Sequence, residues 1–224
     1  MKTEIIGSNA FQSLKVSLSA GEQFVSEAGK MTRMSTSIVN EVESVKKSGG
    51  LLGGLKRMLG GEAFFFSRYT AQAEGEVVLA PTLPGNVGFQ ELDGTVGWYC
   101  AGGSYMGSGP EVKTEPKWQG VKGLFTGESV VFVHATGIGP LVMDAFGAVS
   151  EEVVDGSFIV DTGHLVAFED TLKYTISKAG GSWFNSWLAG EGFVIRFSGK
   201  GKVLVQSHNM KEFGSALGPK LPPR

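Results

Sequence analysis

Gly49-Gly50-Leu51-Leu52-Gly53-Gly54-Leu55-Lys56-Arg57-Met58-Leu59-Gly60-Gly61-Glu62 is too rich in glycine for a dependable helix, yet its leucines and methionine require cover. It ends in Gly61-Glu62, which opens the apolar run Ala63-Phe64-Phe65-Phe66. That ending recurs. Gly127-Glu128 precedes Ser129-Val130-Val131-Phe132-Val133, and Gly190-Glu191 precedes Gly192-Phe193-Val194-Ile195. The three glutamates are spaced 66 and 63 residues apart, each between a glycine-rich apolar loop and an apolar strand. A period of that size marks a supersecondary unit that covers its apolar face against its neighbours.

The flanking sequence fills out one unit. Leu14, Val16 and Leu18 alternate with polar residues, the period of a half-buried strand. Ser19-Ala20-Gly21 turns the chain, Gln23-Phe24-Val25 resumes it, and Gly29 turns it again. Met31–Met34, Ile38–Val45 and Glu76–Ala80 supply further short strands. The second unit repeats the order through Leu92-Asp93-Gly94, Val96–Tyr99, Val112–Glu115 and Val130–Val133. The third repeats it through a turn at Val153–Gly156, then Phe158–Val160, Leu165–Phe168, Leu172–Ser177 and Phe193–Phe197. Gly137-Ile138-Gly139 and Gly199-Lys200-Gly201 read as hairpin turns. The units fall at about 11–87, 88–147 and 148–212, in one all-β domain spanning 1–213, and 214–224 reads as a loose, proline-bearing tail. Three tandem copies without a polar capping repeat point to a closed pseudo-threefold arrangement. The Ser35–Lys47 stretch could be read as helix, but Thr36, Ile38, Val39, Val42 and Val45 suit a strand better.

The totals agree. The 34 glycines among 224 residues are roughly twice the average share, and they fall between apolar runs as turns joining many short strands would. A formal charge of −2 gives no electrostatic basis for binding nucleic acid, so none is expected. Cys100 is the single cysteine; no intrachain disulfide can form, and a reducing compartment such as the cytoplasm fits. The N-terminus lacks the basic start and long apolar core of a secretory signal, and no apolar run reaches the roughly 20 residues of a membrane-spanning helix.

No constellation for chemistry emerges, and an enzyme is not expected. His134, His164 and His208 share no metal-site spacing, Cys100 reads as a buried thiol, and the Gly-x-Gly pairs do not continue as phosphate loops. No cofactor or metal is expected. Glu62, Glu128 and Glu191 are the acidic residues that recur in register. They could ring a cation with hard oxygen ligands; the simpler account is that each accepts backbone N–H bonds at the turn opening its strand. The loops before them carry Leu51, Leu52, Leu55, Met58 and Leu59; then Trp118, Leu124 and Phe125; then Trp183, Phe184, Trp187 and Leu188. These side chains could close the ends of each unit, form the subunit interface of a homo-oligomer, or dip into a membrane surface. The third loop has no basic residue between Gly180 and Gly190, which weakens the membrane alternative.

Leu55-Lys56-Arg57-Met58-Leu59-Gly60-Gly61-Glu62-Ala63-Phe64-Phe65, with Gly190-Glu191-Gly192-Phe193 and a Gly-x-Gly element before the final strand, resembles the altered-inheritance-of-mitochondria protein 24 family. The resemblance covers about Phe11 to His208. It implies a fold like that of the tryptophan RNA-binding attenuation protein: a short double-stranded β-helix, here three times per chain, with ring-like assembly. It carries over no catalytic residues. The expected function is a non-enzymatic oligomeric β scaffold that acts by binding, with peripheral membrane association and small-ligand binding as alternatives.

Overall fold

The computed structural model describes residues 1–44, 65–119, 130–178 and 193–222. Among the described residues the chain is all-β apart from one short α-helix near its end and two 3-10 turns. A first strand group comprises β1 (Lys2–Ser8), β2 (Phe11–Leu18), β3 (Gln23–Glu27), β4 (Met31–Met34), β5 (Ile38–Ser44), β6 (Phe65–Ala71) and β7 (Gly75–Leu79). The second comprises β8 (Val87–Asp93), β9 (Trp98–Ala101), β10 (Tyr105–Ser108), β11 (Val112–Gln119) and β12 (Val130–Asp144). The third comprises β13 (Val149–Asp161), β14 (Leu165–Glu169), β15 (Lys173–Lys178) and β16 (Phe193–Gln206).

The strands form because their apolar residues alternate. Leu14, Val16 and Leu18 of β2 are buried while their neighbours are only partly covered, and Phe24 and Ser26 of β3 are buried between partly covered residues. Fully burying a side chain such as Phe24 or Leu79 contributes about 1.5–3 kcal/mol over leaving it exposed. Strand β1 lies outside the expected first unit. It pairs along β2 from Lys2↔Ser17 to Ser8↔Phe11, and its mostly exposed residues leave little periodicity to read.

Every pairing seen is antiparallel apart from one isolated bridge between Gly85 and Gly147. Three ribbons recur: β5 with β6, β11 with β12, and β15 with β16. Their far ends, at Ser44↔Phe65, Gln119↔Val130 and Lys178↔Phe193, each border one of the stretches outside the described residues.

The two Gly-x-Gly elements are not hairpin turns. Gly137 and Gly139 sit inside the 15-residue β12, and Gly199 and Gly201 inside the 14-residue β16. Residues 130–137 of β12 pair with β11, while 138–144 pair with β8. The strand therefore leaves one sheet and enters another. Gly137 and Gly139 make that bend with φ of 117° and 119°, a region that only glycine occupies without strain. The turn expected at Val153–Gly156 is likewise absent. β13 runs straight through it, and Gly156 at φ 111° faces Gly199 at φ 116°. In the first group the corresponding bend is a break, with β6 ending at Ala71 and β7 starting at Gly75.

Among the described residues the core divides into three clusters, and each crosses between strand groups. Phe24, Tyr69 and Leu79 pack with Met106 and Val142. Trp98, Cys100 and Leu141 pack with Val166, Ala167 and Leu204. Phe132 packs with Phe168, Ile195, Phe197 and Val203.

The tail expected to be loose from 214 onward instead carries a helix, α1 (Met210–Leu217), then a 3-10 turn at Gly218–Lys220. Asn209 caps α1, its side-chain oxygen accepting from the backbone N–H of Lys211 at 2.9 Å. None of the helix residues is buried, although Phe213 packs edge-on against Phe146 at 5.2 Å between ring centroids.

Candidate functional site

The strand groups join by sharing sheets. Strand β10 of the second group pairs on one side with its own β12 and on the other with β3 of the first group, Gly107 facing Ser26 and Ser108 facing Val25. Strand β14 of the third group pairs with its own β16 and with β9 of the second, Ala167 facing Cys100 and Phe168 facing Tyr99. The two junctions share a further detail. Each joining strand carries a bulge on its inner ladder, between Tyr105 and Gly107 in β10 and between Leu165 and Ala167 in β14.

Both joining strands are deeply covered. All four residues of β10 and the first four of β14 are buried. Backbone approach at the first junction is close enough to require glycine. A Cβ at Gly107 would lie 2.6 Å from Phe24 Cε1 and 2.8 Å from the Val25 carbonyl oxygen. Ser104 Oγ donates to the Val166 carbonyl at 2.6 Å, and Tyr105 Oη lies 2.8 Å from Ser108 Oγ, so polar groups in this seam have partners.

Strand β4 has the same inner ladder and an empty outer one. It pairs with β7 through a bulge between Met31 and Arg33, as β10 and β14 do with their own long strands. Among the described residues no strand lies on its other side. All four of its residues are exposed, Met31 at 37% and Met34 at 38%. At the opposite end of the chain, residues 157–161 of β13 pair with β16 but with no second strand among the described residues, and Ile159 is 47% exposed. An exposed apolar edge offers unpaired N–H and C=O groups to another strand.

A charged cluster lies beneath the first junction. Lys30 Nζ is 2.6 Å from Asp144 Oδ2, 3.1 Å from Glu27 Oε2 and 2.9 Å from Thr82 Oγ1. Burial opposes the Lys30 charge, but the charges and hydrogen bonds of Asp144 and Glu27 outweigh it, and the ammonium pKa rises above its ordinary value. Burial raises the Glu27 carboxyl, only partly offset by Lys30. The cluster borders a cavity of about 230 Å³ that is also lined by Ser104, Phe146, Gln206 and Met210. Cys100 is fully buried nearby, and burial first, then the Asp144 charge, pushes its thiol up to about 12.

The sequence profile of the family described as mitochondrial biogenesis AIM24 matches residues 3–208, nearly the whole chain. The chain belongs to the AIM24 family. An uncharacterised protein of Streptococcus pyogenes serotype M6 is 28% identical over 229 residues, covering 99% of this chain and 92% of the relative. A Streptococcus pyogenes protein solved by X-ray crystallography superposes with a TM-score of 0.83 at 25% identity, covering 98% of this chain and 99% of that one.

Nearly all the residues singled out in this AIM24 sequence lie outside the described residues. They are Glu62, Glu128 and Glu191, Leu51, Leu52, Leu55, Met58 and Leu59, Leu124 and Phe125, and Trp183, Phe184, Trp187 and Leu188. Trp118, expected in the loop before Gly127-Glu128, instead continues β11 in its backbone, facing Val131 of β12. The histidines are held apart: His134 Nε2 meets Asp170 Oδ2 at 3.0 Å, and His164 Nδ1 meets the Gln206 carbonyl at 2.8 Å. Among the described residues no His, Cys, Asp and Glu groups gather as a metal site would need. No helix among them is long and apolar enough to cross a membrane. Sequence reading missed the Lys30 cluster, whose partners lie 114 residues apart, and the two open edges. The Met-Thr-Arg-Met of β4 against the Tyr-Met-Gly-Ser of β10 was the available signal: a charged residue stands where the other has glycine.

Proposed function

We propose that this AIM24 chain is a non-enzymatic β scaffold that assembles with copies of itself and acts by binding, in the cytoplasm. The finer architecture behind it is three copies of one short double-stranded β-helix, like that of the tryptophan RNA-binding attenuation protein, each sharing a sheet with the next. In support, β2, β8 and the first half of β13 pair with β7, β12 and β16 respectively, as do β4, β10 and β14, while β5, β11 and β15 pair with β6, β12 and β16. The observation that carries the assembly is the pair of open half-sheets at the two ends of that series, β4 and residues 157–161. Size-exclusion chromatography with light scattering tests it. An integer multiple of the chain mass at micromolar concentration is expected, and a strict monomer overturns it.

Helix α1 favours a second reading, docking on a membrane surface. Met210, Phe213 and Leu217 lie along one stripe and are 56%, 44% and 40% exposed, an arrangement suited to the lipid interface. Co-sedimentation with anionic vesicles decides it: binding abolished by Met210→Glu with Leu217→Glu supports docking, and no binding by the unaltered chain removes it.

A further inference from the structure

We infer that β4 of one copy pairs antiparallel with residues 157–161 of a second copy, head to tail, placing Met34 opposite Ile159 and Arg33 opposite Val160. The inference rests on the assembly proposed above and specifies its contact surface.

The register follows from the two junctions already formed. In each, the residue two places beyond the bulge's first residue faces a fixed position: Gly107 faces Ser26, and Ala167 faces Cys100. In β4 the bulge begins at Met31, so Arg33 holds that place. The facing position is marked by its own cross-strand partner. Cys100 faces Val133, four residues before Gly137, while Val160 faces Ile195, four residues before Gly199. Val160 therefore occupies the place of Cys100. The spacing along the chain agrees: Ser26, Cys100 and Val160 each precede their group's bulge residue, Met31, Tyr105 and Leu165, by five positions.

The direction is fixed too. In both formed junctions the joining strand comes from the later group and its partner from the earlier one. Among the described residues the unmatched joining strand belongs to the first group and the unmatched partner to the last, so the next copy supplies what each lacks. Such a contact is heterologous, and it closes into a ring when the rotation per copy divides a full turn. The side chains suit it. Met31, Met34 and Ile159 are exposed here, whereas their counterparts Tyr105, Ser108 and Tyr99 are buried or partly buried within formed junctions.

Oxidative cross-linking of the full chain tests the register, with the buried Cys100 left in place. Cα atoms of directly opposed antiparallel residues lie about 4.5–5.5 Å apart, within disulfide reach. Mixing Met34→Cys with Ile159→Cys chains is expected to give a disulfide-linked heterodimer that neither forms alone. Thr32→Cys mixed with Ile159→Cys, displaced in register, should give far less. Separately, Ile159→Lys changes a side chain exposed within a single chain, so it should fold, and it is expected to weaken assembly by ~10-fold or more, measured by light scattering on dilution. Several outcomes overturn the inference. They are dimers from Met34→Cys alone, an intrachain disulfide at monomer mass in the Met34→Cys/Ile159→Cys double variant, or no heterodimer from a chain that light scattering shows to be oligomeric. In that last case the scaffold proposal survives and only the interface falls. A chain that scatters as a monomer removes both.

Discussion

Lys30 reaches across the junction between the first two strand groups to Asp144, with Nζ 2.6 Å from Oδ2 and both side chains less than a tenth exposed. Removing one partner of a buried ion pair strands the other charge. Lys30→Ala leaves both Asp144 and Glu27 without their cation and should therefore cost about 3–5 kcal/mol, whereas Asp144→Ala, which leaves Lys30 its contact with Glu27, should cost less. Chemical denaturation of the three proteins checks the ordering, and equal losses in both variants would contradict it.

The same cluster sets a pH dependence whose sign can be worked out. Burial holds the Glu27 carboxyl above its ordinary value, so the folded chain binds that proton more readily than the unfolded one. Its stabilising contribution is fully present below the unfolded pKa of about 4.3 and is lost as pH rises through the folded value. Glu27→Gln should flatten that fall in Tm just above the usual carboxylate range. An unchanged slope would show that Glu27 titrates as an ordinary surface group.

Gly107 and Gly214 should respond to alanine with opposite signs. At Gly107 the new methyl collides with Phe24 and the Val25 carbonyl, and overpacking of this kind costs about 1–3 kcal/mol. Gly214 lies in α1 with open space around it, where alanine gains up to about 1 kcal/mol of helix propensity. Far-ultraviolet circular dichroism through a denaturant titration follows the first, and the helical signal before unfolding follows the second.

Cys100 should resist thiol reagents in the native chain. It is fully buried and burial pushes its thiol up to about 12, so almost no thiolate is expected at pH 8. Mass spectrometry should show no labelling until denaturant is added. Rapid native labelling would mean that the junction against Ala167 opens readily.

The strand class and most strand positions were legible because alternation carries that information locally. Leu14, Val16 and Leu18 announce β2 with nothing else known. The misread glycines show where local reading fails. Gly137-Ile138-Gly139 has the composition of a hairpin, but whether the chain reverses or merely bends depends on β8 and β11 lying on either side of it. Helix α1 was missed because a short segment holding Gly214 and closed by Gly218-Pro219 reads as punctuation, whereas Asn209 caps it. Lys30 and Asp144 could not be joined from sequence, since only the sharing of a sheet brings them together.

Because β12 belongs to two sheets, the second strand group has no boundary along which either of its halves could melt alone. Loosening residues 130–137 pulls on the backbone that holds 138–144 in the neighbouring sheet. Unfolding of those two sheets is thereby coupled, and a tug applied to one reaches the other through covalent bonds rather than through side-chain friction.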